Sequence, residues 1–123
     1  MKKIQFIIAA NVIERIIDAG TYAKTMYKLK TLREEMAVTA CNMIKEEIDI
    51  LEKSGGIIGD DGRISFADDK SEADFQNAIA RRNAEEIEIS IQPIELDVDE
   101  ISDVKITGEE FDALASGFIK FIM

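Results

Sequence analysis

The chain has 123 residues, 46% apolar and 33% charged, which places it with single globular domains rather than disordered segments. It carries a net charge of −10, no histidine, no tryptophan, one proline and one cysteine. Without histidine there is no Ser-His-Asp triad, no Cys-His pair and no histidine zinc site, and a lone cysteine builds neither a disulfide framework nor a thiolate metal site.

The charge is unevenly spread. Residues 1–63 carry ten bases and ten acids, whereas residues 64–123 carry five bases and fifteen acids. An acidic half repels nucleic-acid phosphate, so direct nucleic-acid binding is not expected. The acids read first as a solvated face. No stretch approaches the roughly 20 apolar residues of a membrane span. The opening MKKIQFIIAA holds two lysines and a short apolar run, but Asn11, Glu14, Arg15 and Asp18 follow at once. It reads as a strand of a cytoplasmic protein rather than a leader.

Ile4, Phe6 and Ile8 alternate with Gln5, Ile7 and Ala9, which predicts a strand over 3–9. Asn11 is placed to cap a short helix over 11–19, with Val12, Ile13, Ile16 and Ile17 on one side and Gly20 at its end. Thr21 opens the longest element, 21–53, which has no Gly or Pro. Its Tyr22, Leu29, Met36, Met43 and Ile50 recur every seven residues, and Met26, Leu32, Ala40, Ile44 and Leu51 widen the stripe. That is an amphipathic helix near the coiled-coil period. Ser54-Gly55-Gly56 stops it. Within 56–67, two short apolar runs flank Gly59-Asp60-Asp61-Gly62, the signal of a hairpin.

Ser71 with Asp74 resembles a capping box and predicts a helix over 71–85, with Phe75, Ala78, Ile79 and Arg82 on its inner face. Ile87, Ile89 and Ile91 alternate with polar residues, and after Pro93 the alternation resumes with Ile94, Leu96 and Val98. A strand over 87–98 follows, its proline marking an edge or a bulge. Thr107 and Glu110 form a second capping box ahead of Phe111, Leu114, Ala115, Phe118 and Ile122, which predicts a helix over 108–122. The expected class is α+β: one domain over 1–123, with a small antiparallel sheet, one long amphipathic helix and two shorter helices.

A 33-residue helix is about 50 Å long at about 1.5 Å per residue, whereas a compact chain of this length has a radius of gyration of about 14 Å. The helix 71–85 covers less than half of it. Either the long helix kinks near Thr39-Ala40, or a second copy covers the rest, so a homo-oligomer through the long helix is expected.

Lys24, Lys28 and Arg33 cluster with Tyr22 and Tyr27 on the first half of the long helix. Phosphate needs cationic donors and a base needs a flat ring, so these five are the candidate ligand-binding residues; the competing reading is the polar face of an amphipathic helix. Arg81-Arg82 is a second basic spot, placed to offset Glu85 and Glu86. Asp61-Gly62-Arg63-Ile64-Ser65 has the look of a calcium loop, but Ile57 and Gly59 would stand where oxygen ligands belong. Cys41 has no cationic neighbour in sequence to activate it. The acid pairs Glu46/Glu47, Asp68/Asp69 and Glu85/Glu86 have no second constellation to work with. Neither a metal, nor a cofactor, nor enzyme activity is expected.

The order of motifs is informative as a whole. A short strand and helix lead to Lys24, Tyr27 and Leu29 on a long charged helix; then come the turn Asp61-Gly62-Arg63-Ile64, the strand Glu86–Ile89 leading to Pro93–Leu96, and a last helix after Thr107-Gly108-Glu109-Glu110. This layout resembles that of small uncharacterised proteins encoded by phages and prophages, whose last cap is of a Ser-Pro type from which Thr107-Gly108 departs. The resemblance implies a viral origin and action in the cytoplasm of a bacterial host. The function expected is a non-enzymatic protein that binds and sequesters a host ligand, such as a phosphate-bearing nucleotide signal of immunity. A virion assembly chaperone or minor structural protein, or an acidic mimic of nucleic acid that blocks a host nuclease, are the alternatives. A host protein is thus the other possible partner.

Overall fold

The protein is described by a computed structural model over residues 1–101 and 103–122. Residues 3–9 are helical, not extended: they form the first half of α1, Lys3–Ala19. Phe6, Ala9, Val12, Ile13 and Ile16 are all buried, at steps of three and four residues. Ile7, Ile8, Ala10 and Ile17 are partly buried against the same core. A helix that is apolar nearly all round is a central one, and its run of isoleucines shows strand alternation and helical spacing at once. Asn11 is exposed inside α1 and caps nothing. Extended pairing is confined to the residues before the helix, where the Met1 ammonium donates to the Ile87 carbonyl (3.1 Å) and the Lys3 N–H to that of Glu85 (2.9 Å). Gly20, at φ +86°, ends α1 with its N–H shared between the Ile16 and Ile17 carbonyls.

The long helix α2 spans Ala23–Lys53, about 46 Å at about 1.5 Å per residue. Thr21 does not open it. Its hydroxyl donates instead to the Glu100 carbonyl at 2.8 Å, and Thr25, buried in the first turn, donates to the Glu100 carboxylate at 2.9 Å. Leu29, Leu32, Met36 and Met43 of α2 are buried with the α1 stripe. Beyond α2 the hairpin forms as expected: β1 (Ile57–Ile58) pairs antiparallel with β2 (Ile64–Ser65). Gly62, at φ +80°, supplies the left-handed step that the turn requires. The next helix, α3, spans Asp69–Ala84 and starts earlier than Ser71, because Asp68 accepts the Ser71 N–H at 2.7 Å and is the cap.

The last third differs most from expectation. Of 87–98, only β3 (Ile94–Asp97) enters a ladder, starting directly after Pro93. A 3₁₀ turn over Val98–Ile101 follows it. The helix expected over 108–122 stops early: α4 spans Gly108–Ala115, and Ile119–Ile122 form β4. Ser116-Gly117 breaks the helix, and the β-branched and aromatic run behind it favours extension. β4 pairs parallel with β3, in the register Ile94↔Ile119 and Leu96↔Phe121. The class is therefore α+β, with an antiparallel hairpin at one end and a parallel pair in the body. α1 lies in the middle, touching α2, α3 and α4. Phe6 meets Phe118 edge-on with ring centroids 5.6 Å apart, and each such buried side chain contributes about 1.5–3 kcal/mol.

Candidate functional site

The five residues singled out on α2 are not brought together. Tyr22 caps the helix and Tyr27 faces outward, both 75% exposed. Lys24 is exposed. Lys28 donates to the Glu95 carbonyl of β3 at 2.9 Å, holding α2 to the strand pair. Arg33 turns the other way and pairs with Glu14 of α1 at 3.2 Å. At about 3.6 residues per turn, Lys28 and Arg33 point about 140° apart around the helix. Tyr27 shares only a shallow recess with Ala23, Met26, Lys30, Thr31 and Glu34, where an acid stands beside the lysine.

A deeper feature lies where α1, α2 and α3 meet. A groove of about 400 Å³ is walled by Ile4, Ile7 and Ala10 of α1, Ala40 and Ile44 of α2 and Ile79 of α3, with Asn11, Glu47 and Asn83 among its few polar groups. It continues through Ala10, Asn11, Ala40 and Ile44 into a second recess of about 340 Å³ between α1 and α2, which ends at Glu14 and Arg33. Small-molecule sites have this size and this mostly apolar lining.

Arg82 lines the first groove and is only 5% exposed. Its Nη1 donates to the Met43 carbonyl at 3.1 Å and its Nε to Asn83 Oδ1 at 2.9 Å. No carboxylate pairs with it among the described residues. The acids expected to balance it are engaged elsewhere: Glu85 accepts from Lys3 at 2.8 Å, and Glu86 faces the Met1 ammonium at 3.2 Å. A buried guanidinium stays charged, and leaving one without a counter-charge is costly. Among the described residues Nη2 donates to nothing, yet no enclosed side-chain nitrogen or oxygen among them lacks a partner. Nη2 therefore keeps access to its surroundings, and the groove is what Arg82 lines. The sequence places Arg82 on the inner face of its helix but gives no sign that its charge goes unpaired; only the choice of Lys3 and Met1 by the neighbouring acids shows that.

A second exposed feature runs along α2. Ala37, Cys41, Ile44 and Ile48 are all exposed, Ile44 at 56% and Ile48 at 41%. Their spacing of four, three and four residues is that of a coiled-coil seam. Beyond the end of α2, Ile57, Ile58 and Ile64 of the hairpin are exposed as well.

Elsewhere the charges serve the fold. Lys3 binds Glu46 of α2 at 2.7 Å and Glu85 at 2.8 Å, and these hydrogen bonds, Glu46's first, raise its pKa. Arg15 holds Glu110 of α4 through two bonds of 2.9 Å and the Lys105 carbonyl through a third. That guanidinium, then the Thr107 N–H, draws the Glu110 carboxyl down to about 2. Among the described residues no three acids and thiols converge to hold a metal ion, and no helix is long and apolar enough to cross a membrane. No family model, curated protein or solved structure matches the chain.

Proposed function

We propose that the protein is a non-enzymatic binding protein of phage origin, which self-associates through α2 and sequesters a host ligand in the groove beside that interface. The observation that carries this reading is the exposed seam Ala37, Cys41, Ile44 and Ile48, set beside the stripe of the same helix that is buried in its own core. A seam of this spacing takes another helix, and a second copy of α2 supplies the matching one. The groove opens at the edge of the seam, since Ala40 and Ile44 line both recesses. Ligand and partner copy would therefore meet on one face.

Cys41, exposed in the middle of the seam, provides the test. Sedimentation gives the copy number, and a short bismaleimide joins Cys41 to Cys41 in the assembled protein. A dimer or larger species that cross-links through Cys41 supports the reading. A monomer at high micromolar concentration, or an oligomer in which Cys41 never cross-links, overturns it.

A further inference from the structure

We infer that the groove between α1, α2 and α3 is a binding site for an aliphatic carboxylate, its charged end on Arg82 and its chain along the apolar walls. The inference deepens the sequestration reading by naming the ligand's chemistry, and it does not depend on self-association. Four observations lead to it.

First, the charge of Arg82 is buried and has no carboxylate of its own among the described residues, while Lys3, Arg15 and Arg33 all have one. Second, two of its nitrogens are fixed on the Met43 carbonyl and Asn83, which holds the planar guanidinium still and leaves Nη2 to donate. A guanidinium with free donors is the group best matched to a carboxylate.

Third, the walls are mostly aliphatic. Ile4, Ile7, Ala10, Ala40, Ile44 and Ile79 make up half of the lining, and its aromatic ring, Phe6, is only 1% exposed and so offers no open face on which a nucleobase could stack. The small residues Ala10 and Ala40 face the junction with the second recess, so an unbranched chain can run from one into the other. Fourth, the charge count fits a monoanion. A single guanidinium balances one negative charge, and Glu47 on the same groove, beyond ion-pair distance from Arg82, together with a net charge of −10, repels anything more highly charged. A nucleotide's phosphates would find no second cation in the first groove, and Arg33, at the far end of the second recess, is already paired with Glu14.

The probes are decanoate and its uncharged counterpart decanol, followed by calorimetry and by the Arg side-chain Nε–H signals in nuclear magnetic resonance. Decanoate is expected to bind and to shift the Arg82 signal, with decanol at least tenfold weaker. Arg82→Gln should erase the preference for decanoate, whereas Arg81→Gln, on the exposed neighbour, should preserve it. Ala40→Phe fills the junction of the recesses without touching Arg82 and should weaken both probes; it keeps the test open if Arg82→Gln does not fold. No binding of decanoate to the wild type, equal binding of the two probes, or a shift confined to other arginines overturns the inference. Because sedimentation is read separately, loss of this site with an intact oligomer leaves self-association standing, and the converse result leaves the site standing.

Discussion

Replacing Ile44 and Ile48 together by lysine tests the seam most directly. Ile44 is 56% exposed and Ile48 41%, so between them they leave about one whole isoleucine side chain in water per copy. Covering that much surface contributes about 1.5–3 kcal/mol. A two-fold interface uses the patch twice, giving about 3–6 kcal/mol for the pair of copies. At about 1.4 kcal/mol per tenfold, the double variant should weaken self-association by about 10²–10⁴-fold, and the like charges brought face to face push the same way. The folded subunit should be spared, because both residues already stand in solvent. Val38→Lys is the control: Val38 is 73% exposed but lies off the seam. The assay is sedimentation equilibrium across a concentration series, with circular dichroism to confirm the fold. A double variant that assembles as tightly as the wild type refutes the reasoning, as does equal weakening by Val38→Lys.

Three further outcomes are expected. Phe118→Ala empties a fully buried position against Phe6 and should cost about 3–5 kcal/mol in urea unfolding; a loss below about 1 kcal/mol would mean that the ring is not packed as described. Asp68→Ala removes the cap of α3 and should cost about 1 kcal/mol, seen as a lower unfolding midpoint, and an unchanged midpoint counts against the cap. Glu110 titrates at about 2 in the fold against 4.5 ordinarily. Its pKa is depressed by folding, so the stability it provides is whole above about pH 4.5 and drains away as pH falls towards 2. Glu110→Gln should flatten the acid limb of the stability curve in that window, and an acid limb as steep as the wild type's argues against the Arg15 clamp.

Local chemistry made some elements plain in the sequence and left others hidden. α2 was legible because no Gly or Pro interrupts it and its apolar stripe keeps one period from Leu29 to Leu51. The hairpin was legible because Asp61-Gly62 supplies the turn within four residues. The start of α1 is ambiguous in the sequence because Ile4, Phe6 and Ile8 alternate while Phe6, Ala9, Ile13 and Ile16 step as a helix; only partners on several sides decide between the two. β4 is hidden in the sequence because Phe118 and Ile122 continue the helical spacing of Phe111 and Leu114. The Ser116-Gly117 pair was the local sign of a stop. The parallel pairing of 94–97 with 119–122 is non-local and leaves no mark in a single sequence.

The candidate site divides the same way. Residue type drew attention to Tyr22, Lys24, Tyr27, Lys28 and Arg33, but their directions around α2 send Lys28 to one neighbour and Arg33 to another. The groove needs three helices to exist, and one of its walls comes from residues 3–9, whose alternation suggests a strand. The seam was half visible: Ile44 stood in the predicted stripe, whereas Ala37, Cys41 and Ile48 show themselves only once the buried side of α2 is known.

The edge-on contact between Phe6 and Phe118 sets a timetable for biosynthesis. Phe6 must wait for Phe118, more than a hundred residues further along, before its ring is sheltered, so a nascent chain on the ribosome carries an unprotected oily helix while all the intervening segments are made. Pairing it early with α2, which follows after one short turn, is the one local remedy. The protein should therefore assemble as a helical hairpin first and be fastened last by β4, and a chain stalled just short of Ser116 should be the form that chaperones or proteases seize.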